Sequence, residues 1–244
     1  MKTMLCGLLA AAVVSAGVSA FGQAPVQPLH GSVDMEVADL TNDVAVNEEL
    51  VRENPDDPEA HFLLGIAYSR TPYLEKALSE LRIAKKLAKK RPEGYALFDR
   101  KIREFENLLL EKPDDPLILY RLAFGYYMRG YGVEHGYIKD GSDPDVYYAR
   151  AEKTMTRLTQ VAPDDIWAKN YLGFFLIEQN ETENLERAIA LWEDSVRMNA
   201  DNPGAYMLLG EAYMKQGNLK KAVESGAKGL AAREAWLANY KKSQ

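Results

Sequence analysis

The sequence contains very little cysteine and histidine. Cys6 is the only cysteine among 244 residues, and there are three histidines. Cys6 lies inside an N-terminal apolar run, so a chain cleaved after that run has no disulfide, thiol nucleophile or thiolate metal ligand. His61 falls where a repeat described below needs a bulky core residue, and His135 has no partner at ligand spacing. We therefore predict no metal site and no cofactor.

Catalytic sequence motifs are also missing. The chain has no His-Glu-x-x-His, no Gly-x-Ser-x-Gly and no phosphate-binding Gly-Lys-Ser/Thr loop. We predict that it is not an enzyme and has no catalytic residue. The formal net charge of −6 leaves no general excess of cations to neutralise phosphates, which argues against a nucleic-acid binder.

Only the N-terminus has a long apolar run. Lys2 is followed by an apolar stretch over residues 5–18, too short to span a membrane, and Val18-Ser19-Ala20 fits the small-x-small rule for signal peptidase. We predict a signal peptide at residues 1–20, cleaved near Ala20, and export to the periplasm or the exterior. No later segment reaches 18 apolar residues, so the mature chain is predicted to have no membrane span.

Four segments of the chain align with one another without gaps. Each begins with a Pro-Asp or Ala-Asp turn and continues into apolar residues at helical spacing; they are residues 55–65, 113–123, 163–173 and 200–210. The first proline stops the incoming helix, and the second Asp caps the next helix by accepting a backbone N–H. A proline at the first helical position needs no N–H partner. The turn aspartates are therefore predicted to be caps and not metal ligands.

The residues that recur in these segments resemble the tetratricopeptide repeat, which places Leu-Gly, Tyr and Ala at fixed offsets. The matching residues are His61, Leu64, Gly65, Tyr68, Ala77, Leu81 and Ala84, then Leu119, Leu122, Ala123, Tyr126, Ala151 and Pro163, then Leu172, Gly173, Leu176, Ala188 and Trp192, and finally Tyr206, Leu209, Gly210, Tyr213 and Ala222. The small residues allow two helices to cross closely, and the large ones fill the seam. The resemblance implies an all-α fold, an α-solenoid of antiparallel helix pairs.

We expect four repeats with three departures from regular spacing. The expected segments are a flexible leader at 21–34, an N-terminal capping helix at 35–57, repeat 1 at 58–91, an extra helix at 92–115, repeat 2 at 116–165 with a loop insertion at 129–144, repeat 3 at 166–202, repeat 4 at 203–236, and a C-terminal helix end and tail at 237–244. An odd helix reverses the up-down alternation, so the array either bends or splits at the extra helix. In the loop, where glycine and tyrosine alternate in a way that does not suit a helix, Asp143-Pro144 is predicted to cap the next helix, because the spacing of the loop aspartates does not suit an EF-hand.

The resemblance also implies where a partner would bind. In the family, the first helices of successive repeats line a concave groove that holds a peptide or helix. The matching positions in repeat 1 are Phe62, Ile66 and Ser69. In repeats 2 to 4 they are Tyr120, Arg121, Phe124, Tyr127, Asn170, Tyr171, Phe174, Met207, Glu211, Met214 and Lys215.

We therefore predict a non-enzymatic scaffold or adaptor that binds a protein or peptide. The alternative is a component that binds a small ligand or solute, with the glycine- and tyrosine-rich loop closing a pocket under Tyr131 and Tyr137. A run of cations at 85–91 is interpreted as a solvated helix face, with contact to an acidic partner or anionic lipid left open.

Overall fold

All regular secondary structure in the described part of the chain is helical. The computed structural model describes residues 33–71, 73–91, 94–179 and 181–243, so the predicted signal peptide and most of the leader lie outside the described residues. The helices are α1 (Val33–Glu53), α2 (Pro58–Ser69), α3 (Leu74–Ala88), α4 (Ala96–Glu111), α5 (Pro116–Glu134), α6 (Pro144–Val161), α7 (Ile166–Gln179), α8 (Glu181–Met198), α9 (Pro203–Lys215) and α10 (Leu219–Ser243).

Successive helices run antiparallel, and α2/α3, α5/α6, α7/α8 and α9/α10 form the closely packed pairs of the four repeats. The all-α solenoid predicted from the sequence is confirmed. The chain from Asp34 onward is one compact unit.

The turn residues cap the helices as predicted. The side chains of Asp57, Asp115 and Asn202 accept backbone N–H groups at the starts of α2, α5 and α9, each followed by proline. Asp165 accepts from the backbone of α7 in the same way, and Asp143 caps α6. Each repeat therefore begins at a position set by local side chain-to-backbone bonding.

Glycine lets the two helices of a repeat approach each other. A Cβ added at Gly65 would lie 2.8 Å from Leu81 Cγ, and one at Gly173 would lie 2.5 Å from Trp192 Nε1. The indole of Trp192 has no freedom to retreat, because its Nε1 donates a 2.9 Å hydrogen bond to the carbonyl oxygen of Asn170. The close approach of two helices that was predicted at these mid-helix glycines is therefore present in the structure.

A recurring hydrogen bond shows which helices occupy equivalent positions. The hydroxyls of Tyr68, Tyr126 and Tyr213 each donate to a glutamate 20 residues earlier in the chain, namely Glu48 on α1, Glu106 on α4 and Glu193 on α8. Because α8 is the second helix of repeat 3, α1 and α4 take the place of a second helix ahead of repeats 1 and 2. Val44 of α1 is buried against the first repeat in the same way.

The extra helix α4 bends the array and does not split it. It leaves α2 antiparallel to α5, so Ser69 at the end of α2 lies against Tyr120 near the start of α5, with 2.9 Å between the two hydroxyl oxygens. The concave face of α2 is turned inward, where Phe62 packs edge-on against Phe98 of α4 at 5.2 Å between ring centroids. Phe62 and Ile66 are fully buried. Repeat 1 therefore has no open groove of its own.

The predicted loop insertion at 129–144 is wrong in its first part. Helix α5 continues to Glu134, and only residues 135–143 connect it to α6. The glycines in this stretch do not break the helix but are sites of close approach: a Cβ at Gly130 would lie 2.9 Å from the Tyr148 ring, and one at Gly132 would lie 2.7 Å from Ile138 Cδ1. They serve helix packing, as the glycines of the repeats do.

The last helix is longer than a repeat requires, as expected. Helix α10 runs without interruption past the predicted end of repeat 4 at residue 236. Its Trp236 packs edge-on against Trp167 at the start of α7, with ring centroids 5.7 Å apart. The extension therefore ties the last repeat to repeat 3.

Two glycine substitutions are expected to change stability in opposite directions. Gly173→Ala forces a Cβ into Trp192 and should lower the free energy of unfolding by roughly 1–3 kcal/mol, the usual cost of overpacking. Gly226→Ala places its Cβ in open space within α10 and should raise it by about 0.4–1 kcal/mol, because alanine restricts the unfolded chain. Urea unfolding of both variants measures the two values, and equal effects would contradict the packing role of Gly173.

Candidate partner-binding groove

The predicted groove residues lie on α5, α7 and α9, the parallel first helices of repeats 2 to 4. The structure divides them into two sets. Those near the start of α5 and α7 are buried or bonded to other helices, and those toward the ends of α5 and α7 and on α9 remain accessible.

Tyr120 is in the covered set and is 0% exposed. Its hydroxyl is bonded to Ser69, and the guanidinium carbon of Arg70 lies 5.4 Å from its ring centroid. Burial, and next the neighbouring Tyr171, raise the pKa of Tyr120 well above its ordinary value. This side chain belongs to the interface between repeat 1 and repeat 2.

Phe124 and Asn170 are also buried. The Phe124 ring packs edge-on against Tyr171 at 4.8 Å between centroids. The Asn170 side-chain amide donates to Asn202 at 3.1 Å, which links repeat 3 to the cap of repeat 4. Both side chains have structural partners, and a ligand could contact them only after those partners moved.

Two ion pairs hold the N-terminal helices over this part of the groove. Arg70 Nη2 lies 3.2 Å from Asp165 Oδ2, although the two residues are 95 positions apart. Arg121 Nη2 lies 2.7 Å from Asp43 Oδ1 of α1. Asp165 thus has two functions, because it caps α7 and binds α2. Ion pairs with this little exposure require well-aligned partners on both sides.

The accessible set consists mainly of aromatic and methionine side chains. Tyr127 and Phe174 are half-buried and contact each other at 5.6 Å between ring centroids. Met214 on α9 is 59% exposed. Lys215 Nζ lies 3.7 Å from Glu211 Oε1, one turn earlier on the same helix. Met207 is partly exposed, as is Tyr171, which also packs against Phe124 of the covered set.

The carboxylate of Glu178, which was not among the predicted groove residues, lies at the accessible end of the groove. The Tyr127 hydroxyl donates to Glu178 Oε2 at 3.3 Å. Burial raises the pKa of Glu178, the bond from Tyr127 opposes that shift, and Glu134 adds to it. Its place in the sequence, four residues after Phe174 on the same helix face, is the signal that could have identified it.

Beyond Tyr127 the aromatic contacts continue to the end of α5. Tyr131 packs against Tyr127 at 6.4 Å, His135 stacks on Tyr131 at 3.9 Å, and Tyr137 stacks on the buried Tyr95 at 5.3 Å. Two cations, one in the last turn of α3 and one directly after it, lie over the outer rings: Lys85 Nζ is 4.2 Å from the Tyr131 centroid, and Lys89 Nζ is 3.9 Å from that of Tyr137. We call the surface formed by Lys85, Lys86, Lys89, Lys90, Tyr131 and Tyr137 the lysine–tyrosine patch.

The described residues contain no cluster of three or more His, Cys, Asp or Glu side chains that could hold a metal ion. His61 is buried between Glu80, 2.6 Å from its Nδ1, and the carbonyl oxygen of Pro55, 2.9 Å from its Nε2. Asp140 of the α5–α6 loop forms an ion pair with Arg129. Hydrogen bonds from Ser142 and then from Arg129 lower the pKa of Asp140 to about 2.

Among the described residues no helix has the length and apolar character of a membrane span.

Comparison with known protein families matches the last part of the chain. Residues 181–236, from α8 into α10, match the sequence model of the tetratricopeptide repeat. This part of the chain is therefore a tetratricopeptide-type repeat, and the same pairing of helices is seen in the repeats before it. No curated protein sequence matches it.

Solved structures with a similar helical arrangement have little sequence in common with the chain. MamA from Desulfovibrio magneticus is 16% identical, with a TM-score of 0.42 over 83% of this chain and 92% of that one. A thermophilic TPR protein from Thermus thermophilus is 16% identical, with a TM-score of 0.48 over 86% and 95% of the two chains. Neither similarity supports a conclusion about ligands or partners.

Proposed function

We propose that this protein binds a segment of another protein in the accessible part of the groove, formed by Tyr127, Tyr171, Phe174, Met207, Glu211, Met214 and Lys215. The observation that carries the proposal is the half-buried Tyr127–Phe174 pair on α5 and α7 together with the exposed Met214 on α9. Exposed methionine on a rigid concave surface is an adaptable contact for apolar side chains. Partly buried aromatic rings are the groups that contribute most to interface energy.

Because part of the groove is covered, fewer modes of binding are open to a partner. Since repeat 1 covers the start of α5 and α7, a partner can follow only the part of the groove between the end of α5 and α9. An extended peptide or a short amphipathic helix suits a groove of this kind. Binding through Tyr120, Phe124 and Asn170 stays a prediction, and it requires their present partners, Ser69 for Tyr120 and Asn202 for Asn170, to move away.

The alternative function, a closed pocket for a small ligand, has less support. It needs free space under Tyr131 and Tyr137. The Tyr95 ring lies directly against Tyr137, and Ile138 of the loop packs onto Gly132 of α5. The loop therefore rests on protein atoms at the place that such a pocket would occupy.

The groove proposal predicts a specific loss of binding. The combined variant Phe174→Ala, Met207→Ala and Met214→Ala removes apolar side chains from the accessible groove. We expect recovery of partner proteins in a quantitative pulldown to fall more than tenfold, because central interface residues contribute about 2 kcal/mol or more each.

A matched control replaces exposed apolar side chains outside the groove. Leu110→Ala, Val146→Ala and Val161→Ala alter residues that are 80%, 48% and 37% exposed. This variant should recover the same partners as the unchanged protein, with both variants checked for thermal stability. If the groove variant retained its partners as well as the control does, the proposed surface would be wrong.

We also propose that the protein is exported, so that its partners are in the periplasm or outside the cell. The proposal rests on Lys2, the apolar run over residues 5–18 and the small residues before Phe21.

Export predicts a shortened chain. The intact mass of the protein isolated from the extracytoplasmic fraction of its source should correspond to a polypeptide that begins at Phe21. A chain that retains residues 1–20 and is found only inside the cell would contradict the proposal.

A further inference from the structure

The second helix of repeat 1 contributes cations to a groove formed by the other repeats. Helix α3 runs parallel to α5, because α4 has reversed the alternation, and its second half therefore reaches the end of α5. There Lys85 and Lys89, one turn apart, lie over the rings of Tyr131 and Tyr137. The cation–π contact holds each ammonium group at a fixed place on the rim of the groove.

Most lysines of the lysine–tyrosine patch face solvent. Lys86, Lys89 and Lys90 are exposed, and no carboxylate of the described residues forms an ion pair with them. Arg91 at the end of the run differs, since it lies 3.9 Å from Asp57 and donates to the carbonyl oxygen of Asp56. The rings already carry cations on their faces, so a further cationic ligand is disfavoured and an anionic one is favoured.

The patch is continuous with the groove. The aromatic contacts run from Phe174 through Tyr127 and Tyr131 to Tyr137. Along this path the charge changes, because Glu178 beside Tyr127 and Glu134 at the end of α5 are acidic. A bound segment therefore meets the lysines of α3 at one end and mainly aromatic and acidic groups further in, where Lys215 lies 3.7 Å from Glu211.

We propose that the partner segment is an extended peptide with acidic residues at the end that lies on the lysine–tyrosine patch and apolar residues at the end that lies on Phe174 and Met214. This inference rests on the proposed function, since it specifies the chemistry of the segment in the groove. A peptide is favoured over an anionic membrane because the patch continues into the groove and the whole chain carries a net charge of −6. The same net charge disfavours nucleic acid.

A designed peptide tests the proposal. The probe is a fluorescein-labelled peptide of four glutamates followed by Gly-Leu-Phe-Leu, with a peptide carrying four lysines in place of the glutamates as its counterpart. We expect the protein to bind the glutamate peptide, measured by fluorescence anisotropy at low salt, and to bind the lysine peptide at least tenfold more weakly. No binding of the glutamate peptide would overturn the proposal.

The variant Lys86→Gln, Lys89→Gln and Lys90→Gln removes three cations of the patch and leaves Lys85 in place. We expect the affinity for the glutamate peptide to fall about tenfold, the combined effect of three exposed charge contacts. Added salt should reduce the difference between the variant and the unchanged protein. The matched control is Lys153→Gln, Lys220→Gln and Lys228→Gln, three exposed lysines on α6 and α10, which should change the affinity by less than twofold.

Phe174→Ala separates this proposal from the proposed function. If Phe174→Ala weakens binding and the patch variant does not, the groove binds peptides and the acidic preference is wrong. If the patch variant weakens binding and Phe174→Ala does not, the patch binds acidic peptides and the groove proposal is wrong. If the protein cosedimented with vesicles containing about 30% phosphatidylserine and bound neither peptide, the ligand of the patch would be a membrane surface. That result would overturn the proposal.

Discussion

The arrangement of this protein depends on one constraint, the alternation of helix direction along an antiparallel array. A single additional helix, α4, reverses the direction of the helices before it relative to those after it, so that α2 runs opposite to α5, α7 and α9. The concave face of repeat 1 can then no longer continue the groove of the later repeats. It is buried instead, with Phe62 against Phe98 and Ser69 against Tyr120. What would be an open groove along four repeats becomes a shorter groove at one end.

The contacts that hold repeat 1 in this position include directional polar ones as well as apolar packing. Within a repeat, glycine and large apolar side chains meet, as at Gly173 and Trp192. Between repeat 1 and the groove there are ion pairs, a hydroxyl pair and a cation over a ring, all involving Arg70, Tyr120 or their neighbours. Directional contacts of this kind specify one relative position of the two parts. They also explain why α3 presents its lysines at the rim of the groove.

Much of the fold could be predicted from the sequence, because its signals are local. The caps at Asp57 and Asp115 and the small residue at Gly65 act within a few residues or within one helix pair. The groove could be predicted only as a set of helix positions. Whether Tyr120 is open or covered depends on a contact with Ser69, 51 positions away, which no local pattern reports. The end of α5 could not be predicted either, because a glycine such as Gly130 is typical of a helix break and here accommodates Tyr148.

The central claim is that repeat 1 is docked on the groove, and the ion pair between Arg70 and Asp165 tests it most directly. A double-mutant cycle with Arg70→Met and Asp165→Asn measures the coupling, since asparagine retains the helix cap while losing the charge. Docking predicts a coupling of about 1 kcal/mol or more in the free energy of unfolding, as for residues in direct contact with little solvent exposure. If the two substitutions were additive to within about 0.3 kcal/mol, repeat 1 would not be held against repeat 3 in solution, and the account would be contradicted.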